Sequence, residues 1–452
     1  MPTLPLIDQS RLDAVLARRD GAAVTAVQFL GHVHQVASLL PPGRHVLNLC
    51  GDRYRFTVAL AACIVTGRVS LLPSTYTAEM VRQMRRIAPD VVAIVDRGES
   101  CVDLPTVWYP EEAPTPATQA VVPRIPSEQV IAQVFTSGST GLPEPHLKRW
   151  GSQVRNVQAE ARRLGLTRAH TVIGTVPPQH MYGLESTVLM PLQSGAALHA
   201  GRPFFPADIC AELQASPRPR VLVTTPYHLR ALLAAQTELP EVDLVLSATA
   251  PLSRDLAAEA ETRLATTLLE IYGCTETGQI ASRRPTLGDP WQTFADVRLR
   301  RAGARVWAEG GHIETPTRLG DVIELLGGDP TRFLLHGRHA DLVNIAGKRA
   351  SLGYLNHQLN AIPGVRDGVF LLPSEDDADA GVRRLVALVV APGLTPEAIN
   401  QALRERIDPV FMPRPLLLVD TLPRNAAGKL PRLATEALLA ALRPPTGARV
   451  SA

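Results

Sequence analysis

The sequence predicts an α/β protein with a large N-terminal domain of mainly parallel sheets flanked by helices and a small C-terminal α+β domain. Three observations support this prediction: the length of 452 residues, an alternation of short apolar runs with helical patterns, and a change of pattern near residue 338. Because a chain of this length exceeds one ordinary core, two or more domains are expected.

Short apolar runs of strand length recur along the N-terminal part of the chain. The runs predicted as strands are His45–Cys50, Val69–Leu72, Val91–Val95, Ile131–Phe135, Val172–Val176, Val221–Thr225, Val242–Ser247 and Leu268–Tyr272. Helices are predicted between them, for example over Arg53–Thr66 and Ala78–Ala88. Several runs are apolar on both faces, which is typical of parallel strands covered by helices. This alternation indicates an α/β architecture.

A domain boundary is predicted between residues 337 and 338, so that the two domains span residues 1–337 and 338–452. The second domain is expected to contain, in order, a strand, a helix, two strands, a helix and a strand. The corresponding segments are Asp341–Ile345, Leu352–Ile362, Val365–Leu372, Leu385–Val390, Pro396–Ile407 and Leu416–Val419. They form a unit of the size that a separate domain needs.

Composition and charge exclude several classes of protein. Hydrophobic residues make up 45% and charged residues 20%, which is the profile of a folded soluble protein. The net charge is +3 and no long run of Lys or Arg occurs, so nucleic acid is not expected as a partner. The most apolar segment, Phe56–Val65, is too short to span a membrane and is predicted to be a buried helix.

Cysteine usage and the N-terminus favour the cytoplasm. The five cysteines are scattered, odd in number and form no Cys-x-x-Cys pair, which argues against a disulfide framework and against a zinc site. The first residues show no basic region followed by an apolar stretch, so no signal peptide is expected.

A loop rich in glycine and hydroxyl residues is the first candidate functional feature. It runs Thr136-Ser137-Gly138-Ser139-Thr140-Gly141 directly after a predicted strand. Its glycines let the backbone approach phosphate oxygens and direct N–H groups towards them, and its hydroxyl groups add neutral donors. Taken alone, the loop is equally compatible with a flexible Ser/Gly turn. It is not a Walker A loop, because no Gly-Lys-Ser/Thr follows at the required spacing.

Segments further along the chain carry polar groups that suit a nucleotide. Thr275 and Glu276 place a hydroxyl beside a carboxylate at a predicted strand end, which suits a phosphate and its Mg²⁺. Asp321 would set a carboxylate against ribose hydroxyls, and Arg338 lies at the predicted boundary. Lys429 follows a glycine near the C-terminus, where a lysine seen alone is more often plain surface.

Together and in this order, these segments resemble the motifs of the adenylate-forming superfamily. That family includes acyl-CoA synthetases, firefly-type luciferases and the adenylation domains of peptide synthetases. The resemblance covers nearly the whole chain. It implies an enzyme that uses ATP and Mg²⁺ to activate a carboxylic acid as an acyl-adenylate. It also implies that the C-terminal domain is mobile and that the active site lies between the domains.

The resemblance implies roles for individual residues. Thr275 would contact the α-phosphate, Glu276 would hold Mg²⁺, and Lys429 would bridge the substrate carboxylate and the α-phosphate. A lysine and a metal ion are needed there because a carboxylate must attack an anionic phosphate. The positions implied for the phosphates, adenine and ribose of ATP are Thr136, Ser137, Gly138, Ser139, Thr140, Gly141, Ala248, Thr249, Ala250, Tyr272, Gly273, Asp321 and Arg338.

The acyl pocket is expected beside Gln179–Gly183, which resembles the His-x-x-Gly turn of the family. His180 is either a residue that lines the site or a satisfied structural histidine. Tyr182, Gly183 and Tyr227 are further candidates for shaping the pocket.

Two departures from the family pattern concern the phosphate loop and the domain boundary. Where the family loop usually continues Pro-Lys-Gly, this chain has Pro143-Glu144-Pro145, and Lys148 is expected to serve instead. The usual hinge residue aligns with Ala340. The loop variant and the compact size resemble AMP-ligases of aryl-polyene and xanthomonadin-type pigment pathways, which load a hydroxybenzoate or related acid onto an acyl carrier protein.

The sequence therefore predicts an AMP-forming acid–thiol ligase that transfers an aromatic acid to the phosphopantetheine thiol of an acyl carrier protein. The nearest alternative is the same chemistry with free CoA as the acceptor. A further alternative is a non-catalytic nucleotide- or acyl-binding protein on the same scaffold, against which Glu276, Asp321, Arg338 and Lys429 argue.

Overall fold

The computed structural model describes the chain apart from residues 9–10, 74–75, 97–101, 112–120, 138–142, 236–237, 304, 339–341, 346–347, 373–383, 426–429 and 443–452. In chain order, the strands are β1 (Thr3–Pro5), β2 (Val15–Arg19), β3 (Ala22–Thr25), β4 (His45–Asn48), β5 (Val69–Leu72), β6 (Val92–Val95), β7 (Thr106–Trp108), β8 (Arg124–Pro126), β9 (Val130–Ser137), β10 (Pro143–Arg149), β11 (Thr171–Gly174), β12 (Ala197–His199), β13 (Arg220–Thr224), β14 (Leu244–Ser247), β15 (Thr267–Cys274), β16 (Gly278–Arg283), β17 (Trp291–Thr293), β18 (Val297–Ala302), β19 (Arg305–Gly310), β20 (Ile313–Arg318), β21 (Asp321–Leu325), β22 (Arg332–Arg338), β23 (Leu342–Ile345), β24 (Lys348–Ser351), β25 (Asp367–Leu371), β26 (Val386–Val390) and β27 (Leu416–Leu418).

The helices are α1 (Ala26–Leu39), α2 (Arg53–Val65), α3 (Ala78–Ile87), α4 (Trp150–Leu164), α5 (Met181–Gly183), α6 (Met190–Ser194), α7 (Pro206–Ala215), α8 (Pro226–Ala234), α9 (Arg254–Arg263), α10 (Leu352–Asn360), α11 (Pro396–Arg404) and α12 (Arg432–Leu442). A π-helical segment, Leu184–Leu189, continues α5 directly into α6. A short 3₁₀ helix follows β21 and another precedes β27.

The first large sheet has six strands in the order β10-β9-β5-β4-β6-β7. Its strands run parallel except for β10, which returns antiparallel to β9 at the edge of the sheet. The edge position explains how β10 accommodates Pro143 and Pro145, because proline cannot donate a hydrogen bond to a ladder. The predicted phosphate loop therefore connects the two strands of a β-hairpin.

The second large sheet has eleven strands in the order β21-β22-β17-β16-β15-β14-β13-β11-β12-β2-β3. Six consecutive strands, from β15 to β2 in this order, are parallel. The strands outside this block pair antiparallel with their neighbours. In the middle of the block, β14 is buried along its whole length, as expected of a parallel strand covered by helices.

A smaller sheet, β18-β19-β20, packs against the antiparallel part of the second sheet. Val297, Leu299 and Val306 on its inner face share a hydrophobic cluster with Tyr272 and Phe333. The sheet thereby covers the end of β15, where the first predicted nucleotide residues lie.

The residues after β22 form a hairpin, β23–β24, and a three-stranded sheet, β25-β26-β27, with α10, α11 and α12. Their buried apolar side chains, such as Leu355, Phe370 and Leu388, form clusters that contain only residues from Val343 onwards. One contact with the preceding part of the chain is a hydrogen bond of 2.8 Å from Arg230 Nη1 in α8 to the carbonyl oxygen of Arg366.

The predicted α/β architecture is confirmed, and the ends of the predicted segments differ from the observed ones by no more than three residues. The main difference is that the second large sheet is mixed, with antiparallel strands on both sides of its parallel block. The antiparallel strands were not predicted because they are short or mostly exposed, as in β17 and β20, and show little hydrophobic periodicity.

A buried arginine connects the two large sheets. Arg53 begins α2, and its Nη2 donates to the carbonyl oxygens of Gly174 at 2.7 Å and Val176 at 3.2 Å. Its complete burial lowers its pKa to about 9. A Cβ on Gly174 would lie 2.6 Å from Arg53 Nη1 and 2.7 Å from Thr187 Cγ2, so only glycine fits this contact.

We expect Gly174→Ala to lower the free energy of unfolding by about 1–3 kcal/mol, because the added methyl group overpacks a filled site. Denaturant unfolding measures this change. Gly320→Ala is the matched control, since a Cβ there meets no atom within 4 Å. Equal stability of the two variants would contradict the close approach of Arg53 to β11.

Candidate active site

Four predicted site segments meet at one edge of the second sheet. Strands β11, β13, β14 and β15 are adjacent and parallel, so their carboxyl ends lie at the same edge. His180, Tyr227, Thr249 and Thr275 follow these four strands in that order. In open α/β sheets, ligands bind outside the carboxyl ends of the strands. The arrangement therefore indicates a ligand site at this edge.

The segment after β14 has an unusual backbone. Thr249 adopts a φ of +82°, a left-handed conformation that is rare for a β-branched residue. Its neighbour Ala248 is buried, whereas Ala250 is partly exposed. Backbone strain of this kind is concentrated at ligand sites, and here it coincides with the residues expected to line the adenine.

A tight turn between β15 and β16 carries Thr275 and Glu276. Glu276 is exposed at the tip of this turn. Partial burial acts to raise the pKa of this carboxyl group. That effect is outweighed by hydrogen bonds from Cys274 and from the backbone of Glu276, and by the charges of His146 and Lys148. The pKa of Glu276 is therefore lowered, and an exposed carboxylate is available to a cation.

Lys148 joins the phosphate-loop hairpin to this turn. The side chain projects from β10, is only 4% exposed, and donates from Nζ to the carbonyl oxygen of Thr275. Its burial lowers its pKa, whereas the surrounding acidic groups, led by Glu185, act in the opposite direction. The structure thus brings the first and second large sheets together at the predicted phosphate site.

The predicted ribose residues also meet. Tyr272 donates from its hydroxyl to Asp321 Oδ2 at 2.6 Å, which connects β15 to β21. Asp321 lies directly opposite Arg338 in the β21–β22 pair. Gly273 follows Tyr272 at an irregularity in the ladder with β16. Segments separated by about fifty residues in the chain are therefore adjacent in space.

The predicted acyl-pocket residues have different surroundings. His180 is partly buried and precedes α5, which contains Tyr182 and Gly183. Burial raises the pKa of Tyr182 well above its usual value. Tyr227 is the second residue of α8, is 44% exposed, and makes an edge-to-face contact with His228 at 5.5 Å. The hydroxyl of Tyr182 is thus buried although the residue is partly exposed, whereas Tyr227 is accessible from solvent.

Some predicted residues fall outside the described part of the chain. Thr136 and Ser137 end β9, where they lie opposite Glu144 and Pro143. The residues outside the description are Gly138, Ser139, Thr140, Gly141, Ala340 and Lys429.

A buried polar cluster beneath the turn was not predicted. It contains Asn156 and Glu160 from α4, Glu185 and Ser186 from the π-helical segment, and Gln279 from β16. The hydrogen bonds run from Asn156 Nδ2 to Glu185 Oε1 at 2.6 Å, from Gln279 Nε2 to Ser186 Oγ at 2.7 Å, and from Ser186 Oγ to Glu160 Oε1 at 2.7 Å. The available sequence signal was a glutamate within the apolar run that follows Gly183.

The two carboxyl groups of this cluster are fully buried. Burial raises the pKa of Glu160 to about 8, opposed by a hydrogen bond from Ser186. Burial likewise raises the pKa of Glu185 to about 8, opposed mainly by the charge of Lys148. Such shifts reflect the cost of placing an ionised carboxylate in a medium of low polarity.

Residues 8–309 match the family described as AMP-binding enzyme. The chain belongs to this family. It is similar to the 4-coumarate–CoA ligase of Rhodobacter capsulatus, with 31% identity over 284 residues that cover 62% of this chain and 69% of the relative. It is also similar to a probable 2-succinylbenzoate–CoA ligase of Mycobacterium tuberculosis, with 27% identity over 331 residues that cover 68% and 84% of the two chains.

Solved structures of low sequence identity share the fold. The ATP-bound MatB from Rhodopseudomonas palustris superimposes with a TM-score of 0.78 at 18% identity, covering 96% of each chain. The anthranilate CoA ligase AuaEII in complex with anthranoyl-AMP superimposes with a TM-score of 0.79 at 16% identity, covering 97% of this chain and 99% of that one.

The chain is therefore an AMP-binding enzyme, an acid–thiol ligase that activates a carboxylic acid with ATP. None of the helices in the described ranges combines the length and apolarity that a membrane crossing requires.

The described residues of this AMP-binding enzyme contain no group of three or more His, Cys, Asp or Glu that would hold a metal ion alone. Glu276 instead offers one exposed carboxylate. That donor suits Mg²⁺, which is commonly bound through one or two carboxylates together with substrate phosphates and water.

The buried carboxyl groups predict a pH dependence of stability. Glu160 and Glu185 have pKa values of about 8 in the folded protein, above those of an unfolded chain, so the folded state binds more protons between these values. This stabilising contribution shrinks progressively as the pH rises towards 8 and is absent well above that value. We therefore expect the free energy of unfolding to fall between pH 7 and pH 8 and to level off towards pH 9.

Denaturant unfolding of the wild type, Glu160→Gln and the exposed-site control Glu238→Gln across this range measures the effect. Glu160→Gln is expected to flatten the profile because its amide does not titrate. A wild-type profile that is level or rising between pH 7 and pH 9 would contradict the raised pKa values.

Proposed function

We propose that this enzyme activates an aromatic carboxylic acid of the hydroxybenzoate type as an acyl-adenylate and transfers it to the phosphopantetheine thiol of an acyl carrier protein. The observation that carries the proposal is the convergence at one sheet edge of the phosphate-loop hairpin, the turn with Thr275 and Glu276, and the hydrogen-bonded pair Tyr272–Asp321. In one bound ATP molecule, they would meet the β- and γ-phosphates, the α-phosphate and the ribose, respectively.

In the first half-reaction, a substrate carboxylate oxygen attacks the α-phosphorus of ATP and pyrophosphate leaves. The hairpin loop would hold the β- and γ-phosphates, Thr275 would contact the α-phosphate, and Asp321 with Arg338 would bind the ribose. Mg²⁺ held by Glu276 would supply positive charge to the departing pyrophosphate. Lys429 would reduce the repulsion between the carboxylate and the α-phosphate.

In the second half-reaction, the thiol attacks the acyl carbonyl carbon, the thioester forms and AMP leaves. We propose that residues 338–452 act as a separate domain that rotates between the two steps and withdraws Lys429 from the site. The separate hydrophobic clusters after Val343 support this division, because a unit with its own core can move as a body.

An aromatic acid is supported by the names of the relatives, which are ligases of 4-coumarate, 2-succinylbenzoate and anthranilate. The same names favour CoA as the alternative acceptor. The carrier protein is supported by the departure at Glu144 and Pro145, which resembles the loop of carrier-protein ligases in pigment biosynthesis. The scattered cysteines support a cytoplasmic location, and those described are unpaired with one another.

The decisive test is ATP–pyrophosphate exchange with panels of benzoates, cinnamates and fatty acids. Exchange that is fastest with hydroxybenzoates supports the proposal. Each active acid is then assayed for thioester formation with holo-carrier protein and with free CoA. Preference for fatty acids would overturn the aromatic assignment, and preference for CoA would overturn the carrier-protein assignment.

We expect Lys429→Ala to abolish acyl-adenylate formation while leaving thioester formation from supplied acyl-AMP nearly unchanged. Removing one group that stabilises transition-state charge typically lowers the rate about a hundred- to a thousandfold. Pyrophosphate exchange measures the first half-reaction, and thioester formation from synthetic acyl-AMP measures the second. Equal losses in both would remove Lys429 from its assigned role.

A further inference from the structure

We propose that Lys148 and His312 are positioning residues that hold the turn between β15 and β16, so that Thr275 and Glu276 face the nucleotide. The inference rests on the proposed function, in which Thr275 contacts the α-phosphate and Glu276 holds Mg²⁺. It differs from the sequence prediction for Lys148, which placed that residue on the phosphates.

The choice of residue at position 148 is informative. Among the 46 basic residues of this chain, only Lys148, Lys348 and Lys429 are lysines. Lysine carries a compact ammonium on a flexible stem, whereas arginine carries a broad planar guanidinium. Lys148 is only 4% exposed, so the broader guanidinium would overpack its site.

The ammonium of Lys148 forms a hydrogen bond to the turn. Lys148 lies opposite Ala132 in the β9–β10 hairpin, and Nζ donates to the carbonyl oxygen of Thr275. Three carboxyl groups from different elements favour its charged form: Glu185, Glu276 and Glu314. The hydrogen bond from Nζ to the Thr275 carbonyl ties β10 to the turn.

His312 holds the other side of the turn. Nε2 of His312 lies 2.9 Å from the carbonyl oxygen of Thr277. A carbonyl only accepts, so Nε2 carries the proton and donates. Burial lowers the pKa of His312 to about 4, which keeps the ring neutral. Ser152 Oγ in α4 donates to the carbonyl oxygen of His312 at 2.7 Å and anchors its backbone.

The turn rests on the buried polar cluster. Gly278 ends the turn with a φ of +73°. A Cβ there would lie 2.3 Å from Asn156 Nδ2 and 2.5 Å from Glu185 Oε1, so the backbone sits directly on these two side chains. The carbonyls on both sides of Glu276 are thus held by donors while its own side chain remains exposed. The backbone is preorganised and the carboxylate is available.

The binding of ATP with and without Mg²⁺ separates this role from a direct phosphate contact. If Lys148 positions Glu276 as well as Thr275, then Lys148→Met should weaken ATP binding more in the presence of Mg²⁺ than in its absence. The gain in affinity that Mg²⁺ provides should fall about 10- to 100-fold, the usual effect of removing a residue that orients a metal ligand. Titration calorimetry in EDTA and in Mg²⁺ measures both quantities.

Arg149→Met is the matched control, because Arg149 is the next residue of β10 and is partly exposed beside Glu128 and Glu314. Its binding of ATP should match wild type under both conditions. Lys148→Arg should fail to restore the Mg²⁺ effect, because the broader guanidinium does not fit the buried site.

His312 provides an independent pair of variants if substitutions at Lys148 do not fold. His312→Gln retains an N–H donor near the position of Nε2, whereas His312→Leu removes it. The Mg²⁺-dependent gain should fall more in His312→Leu than in His312→Gln, with thermal unfolding used to check that both fold. Equal losses in the two variants would overturn the assignment of His312.

An unchanged Mg²⁺-dependent gain in Lys148→Met would overturn the positioning role. A fall in ATP affinity of equal size with and without Mg²⁺ would point to direct phosphate contact instead. Failure of the proposed function is distinguishable, because it would appear as wild-type protein that shows no ATP–pyrophosphate exchange with any acid.

Discussion

Parallel strands end at one edge of a sheet, and the candidate active site depends on this constraint. Strands β11, β13, β14 and β15 deliver four segments to the same edge. The chain then reverses at the turn after β15 and continues as antiparallel strands, which bring Asp321 back to Tyr272. The change from parallel to antiparallel pairing therefore assembles residues that would otherwise lie at opposite ends of the sheet.

The second sheet alone does not complete the site, because the predicted phosphate loop belongs to the first sheet. Two buried basic residues connect the sheets: Arg53 bonds to the carbonyls at the end of β11, and Lys148 bonds to the turn after β15. Burying such charges is costly unless they are hydrogen-bonded. The cost is offset here by backbone carbonyls and, for Lys148, by nearby acidic groups. The relative placement of the sheets is thus set by directional contacts as well as by apolar packing.

The buried carboxyl groups of Glu160 and Glu185 lie directly beneath the same turn. On general grounds, the protein would be no less stable with apolar side chains of equal volume in this position, because ionisable groups in a core seldom add net stability. Their hydrogen bonds instead specify one arrangement of α4, the π-helical segment and β16. A site that must hold a carboxylate and a hydroxyl against phosphate oxygens benefits from such a defined support.

Much of the fold was predictable because strand length, helix periodicity and strand–helix alternation are local properties of the chain. The strand Val69–Leu72 was predicted with its observed bounds, and α2 was predicted within one residue. The antiparallel strands after Cys274 were missed because several are short or mostly exposed and show little hydrophobic periodicity. Polar motif residues such as Thr275, Glu276 and Asp321 were identifiable from their order, and the structure places Tyr272 and Asp321 in contact.

The sequence by itself determined the α/β class, most of the parallel strands and the family to which the chain belongs, because these follow from local patterns and from ordered motifs. Only the tertiary structure decided the surroundings of Lys148, His312, Asn156, Glu160 and Glu185. Whether a polar side chain is exposed or supports a turn depends on which elements pack around it. That packing brings Lys148 of β10 and His312, which precedes β20, to the same turn, and no local pattern in the chain encodes their proximity.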